Sequence, residues 1–421
     1  MSLDAALSIA TGSLANINRQ IALVSQNVAN ASTPGYAREI AEQQEITADG
    51  VGMGVRTGPA QRDVDALLQQ SSLSENATVA GLQARQTALQ AIDAVQGTPG
   101  QGSNIPSLLG SLQDAFSTLG NDPSNQTQQQ AVVSAANTLA SGINAQSNAI
   151  AEQRQAAQDA IVQDVGSLNS TLDTIGALSR QIVSLKAAGQ STADLENQRD
   201  DALQTLSQIV DVKVLEQNDG NVMLVTGSGL SLPTDQPDPF STSAANLGAG
   251  AYYPGGGVPA ITLGGVDVTE QITGGSLGEN ITLRDTTLPT MQSELDEFSQ
   301  NLASRFDAQG LRLFSDPSGN VPSGSGIPVQ ASYVGFSAAI TVNPAVQAGP
   351  SLVRDGTQAV AGSPTGASAF TPNPPGGPAG FTALITRVLD YALSSEAQSC
   401  VPQPWFNSTG LGPTGTFSAP G

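Results

Sequence analysis

Neighbouring carboxylates are the side chains of this 421-residue chain whose type and spacing could do chemistry. Asp200 stands beside Asp201, and Glu294 stands two positions before Asp296. Two carboxyl groups held close together can act as general acid and base, or hydrolyse a glycosidic bond. Both pairs lie in segments with the apolar spacing of helices, so we interpret them as solvated helix faces. We therefore predict that the chain is not an enzyme, and a two-carboxylate glycosidase site within residues 210–286 is kept as an alternative.

The glycine array DGVGMGVRTG, residues 49–58, is a second candidate for chemistry, because glycine-rich loops can cradle phosphate groups. It contains no lysine, follows no clear strand and opens no helix, so we expect turn or strand geometry instead. The chain has no histidine and a single cysteine, Cys400. Serine–histidine triads, cysteine–histidine dyads and histidine-based zinc sites are therefore impossible. No cofactor and no metal site is predicted.

The overall charge restricts the class of partner. The formal net charge is −21, and only 12% of the residues are charged. Nucleic acid and anionic membranes both require a basic face, so neither is a predicted partner. No run of about 18 apolar residues predicts a membrane span. The first residues have no basic region and no continuous apolar core, so we expect export without a cleavable signal peptide.

Apolar residues recur at alternating spacings of four and three along the first thirty residues, which is the heptad pattern of a coiled coil. We call this set the seam; it comprises Leu3, Leu7, Ala10, Leu14, Ile17, Ile21, Val24, Val28 and Ala31. Its large side chains represent on the order of 10 to 20 kcal/mol of burial, which an isolated helix loses to water. The helix either packs on the core of its own chain or pairs with helices of other subunits, and we favour the second interpretation.

A sharp turn follows this helix in NVANASTPGYAR. Proline cannot continue a helix and glycine can take the positive φ of a turn, so composition alone predicts a helix stop. The stretch also resembles the N-terminal signature of the bacterial flagellar axial proteins, the rod, hook and hook-associated proteins. The resemblance continues through GVGMGV and an R-x-x-D-x-x-L pattern. The residues that match are Asn27, Ala29, Asn30, Thr33, Pro34, Gly35, Tyr36, Arg62, Asp65 and Leu68.

Two later segments resemble the hook-associated members of that family: DLENQRDDALQTLSQIVDVKV, residues 194–214, and LASRFDAQGLRLF, residues 302–314. The resemblance implies a structural, extracellular subunit of the flagellum that connects hook to filament. It implies three partners, which are further copies in a ring, the hook protein and a second junction protein. The alternatives are a hook or distal rod protein, and a secreted surface fibre or adhesin outside the flagellum.

In the axial family the N-terminal helix pairs with a C-terminal helix to form the innermost tube, and an export chaperone can bind that C-terminal helix. This sequence ends in NSTGLGPTGTFSAPG, which has no heptad pattern. We therefore expect the C-terminal helix to be missing, and polymerisation or chaperone binding through it is in doubt. We also expect the tail from Pro402 to be poorly ordered.

Apolar spacing in the rest of the chain predicts a series of amphipathic helices. One covers residues 67–95, with Val79, Leu82, Leu89, Ile92 and Val95 near one face, and another of about 60 residues ends near Ala188. The predicted fold class is mainly α with an inserted β domain (α+β, multidomain). It combines an elongated antiparallel helical bundle, a small β-rich domain and the N-terminal coiled-coil helix. The predicted domains are 1–66 (axial helix and extended segment), 67–209 with 287–357 (bundle), 210–286 (β insert) and 358–421 (Pro/Gly-rich segment with one short helix).

Overall fold

The computed structural model describes residues 3–33, 35–48, 51–97, 102–324, 332–364 and 366–394. Helices dominate and the sheets are small, so the predicted fold class, mainly α with a small β part, is confirmed. The helices are α1 Leu3–Ala29, α2 Ala66–Gln96, α3 Ile105–Asn121, α4 Gln126–Ala187, α5 Ala193–Ile209, α6 Gly275–Thr282, α7 Leu288–Asp307, α8 Phe336–Ala339, α9 Pro344–Ala348, α10 Leu352–Asp355 and α11 Ala383–Arg387.

Within the described residues the strands form four separate antiparallel sheets. Strands β1 and β2 make a long hairpin, and β2 contains residues 51–58 of the glycine array, so strand geometry is confirmed for that part; residues 49 and 50 lie outside the described residues. Strands β3, β4 and β5 form one three-stranded sheet, β6, β7 and β8 form another, and β9 pairs with β10. The strands are β1 Glu39–Ala48, β2 Val51–Arg62, β3 Val212–Glu216, β4 Val222–Thr226, β5 Ser231–Leu232, β6 Phe240–Ser241, β7 Thr262–Leu263, β8 Val266–Asp267, β9 Phe314–Ser315 and β10 Thr341–Val342.

The chain folds as two compact units, and each is described by itself. The first contains residues 1–84, 160–243 and 260–280, and the second contains residues 85–159, 244–259 and 281–421. These units follow contacts in space and divide both the predicted bundle and the predicted β insert. The predicted domain bounds, 1–66, 67–209 with 287–357, 210–286 and 358–421, stay a prediction.

Local sequence signals explain where the helices begin. Asn104 caps α3 by accepting a hydrogen bond from the Ser107 N–H at 2.9 Å, and Asn125 caps α4 by accepting one from Thr127 N–H at 3.0 Å. Capping amide and hydroxyl groups of this kind satisfy N–H groups that have no partner inside the helix. Helix α4 then continues for 62 residues without a proline. Its apolar residues at helical spacing, from Val132 to Ile182, are buried as the pattern predicts.

The main core lies in the second unit. Leu112, Phe116 and Leu119 of α3 pack with the early part of α4, the end of α7 and the segments that follow α7. Phe306 contacts Phe116 and Phe314, with ring centroids 6.0 and 5.5 Å apart. The short helix predicted in the C-terminal segment is α11 with the turn that follows it, and Leu384, Ile385, Val388 and Ala392 are buried in this core. The predicted disordered tail from Pro402 lies outside the described residues, as does Cys400.

Two predictions about side-chain environment are wrong. Asp200 and Asp296 are not solvated, since they are 7% and 1% exposed, whereas Asp201 and Glu294 are exposed as predicted. Asp296 accepts hydrogen bonds from the N–H groups of Gly335 and Ser337, at 2.7 and 2.9 Å. These donors replace the water that burial removes, although the pKa of the Asp296 carboxyl remains raised by desolvation.

The predicted apolar face of α2 is also wrong in most of its members. Ile92 is buried, but the other four residues are 37–56% exposed: Val79, Leu82, Leu89 and Val95. The residues that α2 buries include Leu73, Ala77 and Ala88. With Ile92, α2 thus buries four apolar residues and exposes the other four of the predicted face, so apolar spacing alone cannot choose the buried side.

Helix α4 offers a test of its packing at two glycines of the first unit. A Cβ at Gly176 would lie 1.9 Å from the Thr234 carbonyl oxygen, whereas a Cβ at Gly166 would meet no atom within 4 Å. We expect Gly176→Ala to lower the free energy of unfolding by about 1 to 3 kcal/mol through overpacking. We expect Gly166→Ala to raise it by about 0.5 to 1 kcal/mol, because alanine favours helix. Urea unfolding of both variants checks the signs, and equal effects would contradict the packing.

Candidate functional site

The seam of α1 is the largest exposed apolar feature of the N-terminal helix. Its large residues with described side chains are between 51% and 71% exposed: Leu7, Leu14, Ile17, Ile21, Val24 and Val28. The alanines Ala10 and Ala31 are exposed as well. The Leu3 side chain lies outside the described residues. The seam is therefore as apolar as a protein core, yet it is exposed to solvent within this chain.

Another face of α1 is held by the β1–β2 hairpin through polar contacts. Asn16 is buried, and its side-chain carbonyl accepts a hydrogen bond from the Thr57 hydroxyl. Asn27 contacts the first residue of β1, as described below, and Ile9 approaches Gly54 of β2. Because the hairpin binds the helix through these residues, the heptad residues are left free on the remaining surface.

Asn27 joins the helix to the start of β1. Its Nδ2 donates to the Glu39 carbonyl oxygen at 2.8 Å, and its Oδ1 accepts from the Glu39 N–H at 2.9 Å. The Tyr36 hydroxyl donates to the same Oδ1 at 2.9 Å. The amide thus satisfies both backbone groups of one strand residue, as a neighbouring strand would. Asn27 and Tyr36, two of the residues that carry the family resemblance, therefore meet in space.

The Asn27 contact predicts a specific loss of stability. Aspartate has nearly the same shape but cannot donate a hydrogen bond, so Asn27→Asp leaves the Glu39 carbonyl oxygen facing a carboxylate. We expect the free energy of unfolding of the first unit to fall by about 1 to 3 kcal/mol. Asn18→Asp makes the same chemical change at an exposed position of α1 and should cost less than about 0.5 kcal/mol. Chemical unfolding measures both, and a similar cost for the two variants would contradict the contact.

The turn after α1 requires a glycine at position 35. Gly35 has a φ of +78°, and a Cβ built there would lie 1.7 Å from the Asp201 carboxylate. The left-handed conformation favours glycine there, and any side chain would also have to displace the exposed Asp201 carboxylate. Asn30 donates from its side chain to the Gln26 carbonyl oxygen at 3.1 Å, and Thr33 N–H donates to the Asn30 carbonyl oxygen at 2.9 Å. Pro34 lies outside the described residues, and Ala29 is exposed at the last position of α1.

Arg62 and Asp65 have separate roles at the end of the hairpin. The buried Arg62 guanidinium donates to Glu196 at 3.1 Å and to Asn197 at 3.2 Å, and it also pairs with Asp200. Asp65 caps α2, because its Oδ1 accepts from Leu67 N–H at 2.9 Å and from Leu68 N–H at 3.2 Å. The R-x-x-D-x-x-L pattern therefore ties the hairpin to α5 and begins the next helix.

Helix α5 supplies partners that the carboxylate analysis missed. Glu196 and Asp200 bind Arg62, and Asp194 accepts from the Gln26 side chain at 3.2 Å. All three acids belong to the DLENQRDD stretch, which the sequence analysis singled out for its resemblance and not for a contact. The resemblance of this stretch to the axial family was the sequence signal that could have pointed to these contacts. The structure brings the two matching segments, 27–68 and 194–201, into contact. We call the contacts of Arg62 with Glu196, Asn197 and Asp200 the clamp.

The Glu39 side chain lies in an unfavourable electrostatic environment. It is 4% exposed, and its Oε1 has no hydrogen-bond partner among the described residues. Burial raises the pKa of the Glu39 carboxyl, the negative charges of Asp194 and Glu196 raise it further, and the positive charge of Arg62 opposes them. The folded state therefore binds a proton on Glu39 more tightly than the unfolded state does.

This pKa shift predicts a pH-dependent gain from Glu39→Gln. Ionisation of Glu39 costs stability as the pH rises from the unfolded pKa, about 4.3, through the raised folded pKa. The neutral amide removes that cost, so we expect a gain on the order of 1 kcal/mol at pH 7. The gain should vanish at a pH below about 4, where the wild-type carboxyl is protonated. Urea unfolding at the two pH values provides the measurement, and an equal gain at both would contradict the electrostatic cause.

A groove of about 690 Å³ continues the seam towards the turn. Val24 and Val28 of the seam line it together with Leu23, Tyr36 and Ile40. Among the described residues no cluster of three or more histidine, cysteine or acidic side chains could hold a metal ion. None of the helices built by those residues has the length and hydropathy needed to cross a membrane.

Comparison with known proteins places the chain in a family. The flagellar hook-associated protein FlgK helical domain matches residues 89–319, more than half of the chain. Flagellar hook-associated protein 1 of Salmonella typhimurium LT2 is 26% identical over 319 residues, which cover 70% of this chain and 54% of that protein. The protein of the same name from Bacillus subtilis is 24% identical over 221 residues, which cover 50% and 43%. The chain spans about half the length of these curated relatives.

One solved structure is also similar. It is the flagellar hook junction protein FlgK from Burkholderia pseudomallei, with a TM-score of 0.47 and 24% sequence identity. The similarity covers 61% of this chain and 45% of that one.

Proposed function

Because the chain belongs to the family of the flagellar hook-associated protein FlgK helical domain, we propose that it is a structural subunit of the bacterial flagellum that connects hook to filament. The single observation that carries the proposal is the family match over residues 89–319, and the names of the curated relatives support it. The motifs quoted from the sequence predicted the same family. The proposed work is mechanical and needs no catalytic group.

The proposed mechanism assigns intersubunit packing to the seam. Copies of the subunit stand in a ring, and each α1 covers its seam against helices of neighbouring copies and of adjacent axial proteins. Six exposed aliphatic residues of the seam support this assignment, because burying each one contributes about 1.5 to 3 kcal/mol. Packed apolar helices can shift slightly without losing contact, and such a shift suits a junction between two different polymers.

The clamp beside α1 gives this mechanism a route for mechanical load. Force applied to α1 passes to the hairpin through Asn16 and Asn27, and from the hairpin to α5 through Arg62. Short polar contacts of defined geometry resist sliding better than apolar packing, because moving one residue breaks a directional hydrogen bond. We therefore propose that hydrogen bonds hold α1 rigidly in its own unit. The apolar seam lets α1 shift slightly against the helices of neighbouring subunits.

The proposed partners are further copies of this chain, the hook protein and a second junction protein. An export chaperone is a further proposed partner if the whole protein carries a C-terminal helix. The proposed location is the extracellular part of the flagellum. Nucleic acid and membrane are not proposed as partners, because the formal charge of −21 gives neither a basic face to bind.

Deletion of the complete gene in the source bacterium tests the proposal. Electron microscopy of the deletion strain should show hooks without filaments, and the intact gene on a plasmid should restore filaments. Normal filaments in the deletion strain would refute a role at the junction. Absence of hooks would indicate a hook or distal rod protein instead, and normal flagella with lost adhesion would indicate a surface fibre.

A further inference from the structure

A small cavity in the first unit concentrates basic residues in a strongly acidic protein. Its volume is about 200 Å³, and Arg62, Lys186 and Arg199 line it. The whole chain has 15 lysines and arginines against 36 acidic residues, so three cations around one small cavity depart from the composition of the chain. The cavity lies where the R-x-x-D segment, the end of α4, helix α5 and the β3–β4 turn meet.

Arg199 is the central group of this cavity. It is 3% exposed, its Nη1 donates to the Gly220 carbonyl oxygen at 2.8 Å, and its Nη2 lies 3.5 Å from a Glu216 carboxylate oxygen. Its Nε–H has no hydrogen-bond partner among the described residues. A buried donor on a charged group without a partner costs about 1 to 3 kcal/mol or more, so it calls for an acceptor.

Further donors surround the same space. Lys186 belongs to the last turn of α4, and its side chain lies against the Gly220 turn. The Gln69 and Gln217 side chains also line the cavity, and neither they nor the Lys186 ammonium make a hydrogen bond or an ion pair with the described residues. Lysine at a helix C-terminus is favourable by itself, but here it stands beside a second cation whose Nε–H lacks an acceptor among those residues.

The acidic residues around the cavity are either neutralised or exposed. Glu196 is occupied on both oxygens, since Arg62 donates to one at 3.1 Å and the Thr192 hydroxyl donates to the other at 2.7 Å. The Glu216 side chain is 64% exposed. The pKa of Arg199 is lowered because burial outweighs the nearby carboxylates of Glu216, Asp200 and Glu196. The nearby carboxylates therefore leave the Arg199 Nε–H without an acceptor in the described part of the chain.

We propose that this cavity binds a small tetrahedral oxyanion, phosphate or sulfate, between Arg199 and Lys186. The anion accepts a hydrogen bond from the unpartnered Arg199 Nε–H and pairs with the Lys186 ammonium, and the Gln69 and Gln217 amides supply further donors. Guanidinium and ammonium groups are the usual ligands of such anions in proteins. The volume admits the anion with accompanying water, since one water occupies about 30 Å³. Bound there, the anion joins the segment after the hairpin to the β3–β4 turn and stabilises the first unit.

The two lysines of the chain provide a matched test. Lys186 lines the cavity, whereas Lys213 is exposed on β3 and does not line it. Thermal unfolding of the full chain is measured in potassium phosphate, in sodium sulfate and in potassium chloride of equal ionic strength. We expect phosphate and sulfate at about ten times the dissociation constant to raise the Tm by about 2 to 4 °C above chloride. Lys186→Met should lose this shift and Lys213→Met should keep it.

Direct binding completes the experiment. Calorimetric titration with inorganic phosphate should give one site per chain, and Lys186→Met should weaken it at least about tenfold while Lys213→Met leaves it unchanged. Because Lys186 is exposed, its replacement should not alter the far-ultraviolet circular dichroism or the Tm in chloride. Phosphate that stabilises no more than chloride would overturn the proposal and assign the Arg199 Nε–H to a water molecule. Equal effects in the two lysine variants would show only general salt stabilisation.

Discussion

We expect the double substitution Ile17→Asp and Val24→Asp to abolish filament attachment while leaving the fold of the isolated chain unchanged. The two residues stand one heptad apart on the seam and are 51% and 60% exposed in the single chain. Aspartate at these exposed positions lowers the stability of the isolated chain little, because the helix has no partner there. In a packed seam the two aspartates remove about 3 kcal/mol or more of apolar burial per copy and place two unpaired charges in a dry contact. Each contact then weakens at least about 100-fold.

The measurement is complementation of the deletion strain with the complete gene that carries the substitutions. Filaments are counted by electron microscopy and motility is measured in soft agar. The control is Asn18→Asp with Ser25→Asp, which adds the same charge one heptad apart on the same helix and outside the seam. The control should restore filaments. Restoration by the seam variant, with export at the wild-type level, would remove the seam from the mechanism.

The second large effect is expected at Arg62. Replacing it by methionine keeps most of the apolar stem and removes the cation that faces Glu196 and Asp200. Because the Arg62 and Asp200 side chains are only 7% and 10% exposed, water cannot easily take the place of the guanidinium. We expect the free energy of unfolding to fall by about 3 to 5 kcal/mol, the usual cost of breaking a buried ion pair from one side.

Arg38→Met is the matched control for this substitution. Arg38 pairs with Asp63 at 3.9 Å, and both side chains are at least 60% exposed. Exposed ion pairs of this kind contribute about 0 to 1 kcal/mol, so the control should unfold almost as the wild type does. Urea unfolding, followed by circular dichroism, compares the two variants. A loss of less than about 1 kcal/mol for Arg62→Met would contradict the clamp between hairpin and α5.

The regular elements were predictable because their signals are local. Heptad and helical spacings predicted α1, α2 and α4 within a few residues, since each helix is specified by its own apolar residues and by the capping or breaking residues at its ends. The buried face of α2 did not follow, because it depends on which neighbour the fold places beside it.

The candidate site was predictable in its residues but not in its contacts. The seam and the signature were identified from spacing and resemblance, and both lie at or beside the same helix. The partners of the signature were not identified, because Glu196 and Asp200 are more than 130 positions away from Arg62. Aspartate on a helix looks the same in a sequence whether it faces water or a buried arginine.

The amino-acid sequence by itself determined the helices, the apolar seam and the absence of histidine chemistry, because these depend on residue type and on spacing within one segment. Only the tertiary structure decided which polar side chains bind the backbone of another segment. Asn27 binds the backbone of Glu39, Gln70 binds Val212 and Val214, and Asn169 binds Phe240 in the same two-sided way. The donor and the acceptor of an amide can be satisfied either by water or by a strand edge. The role of the amide is therefore fixed only when folding brings a backbone N–H and C=O into its reach.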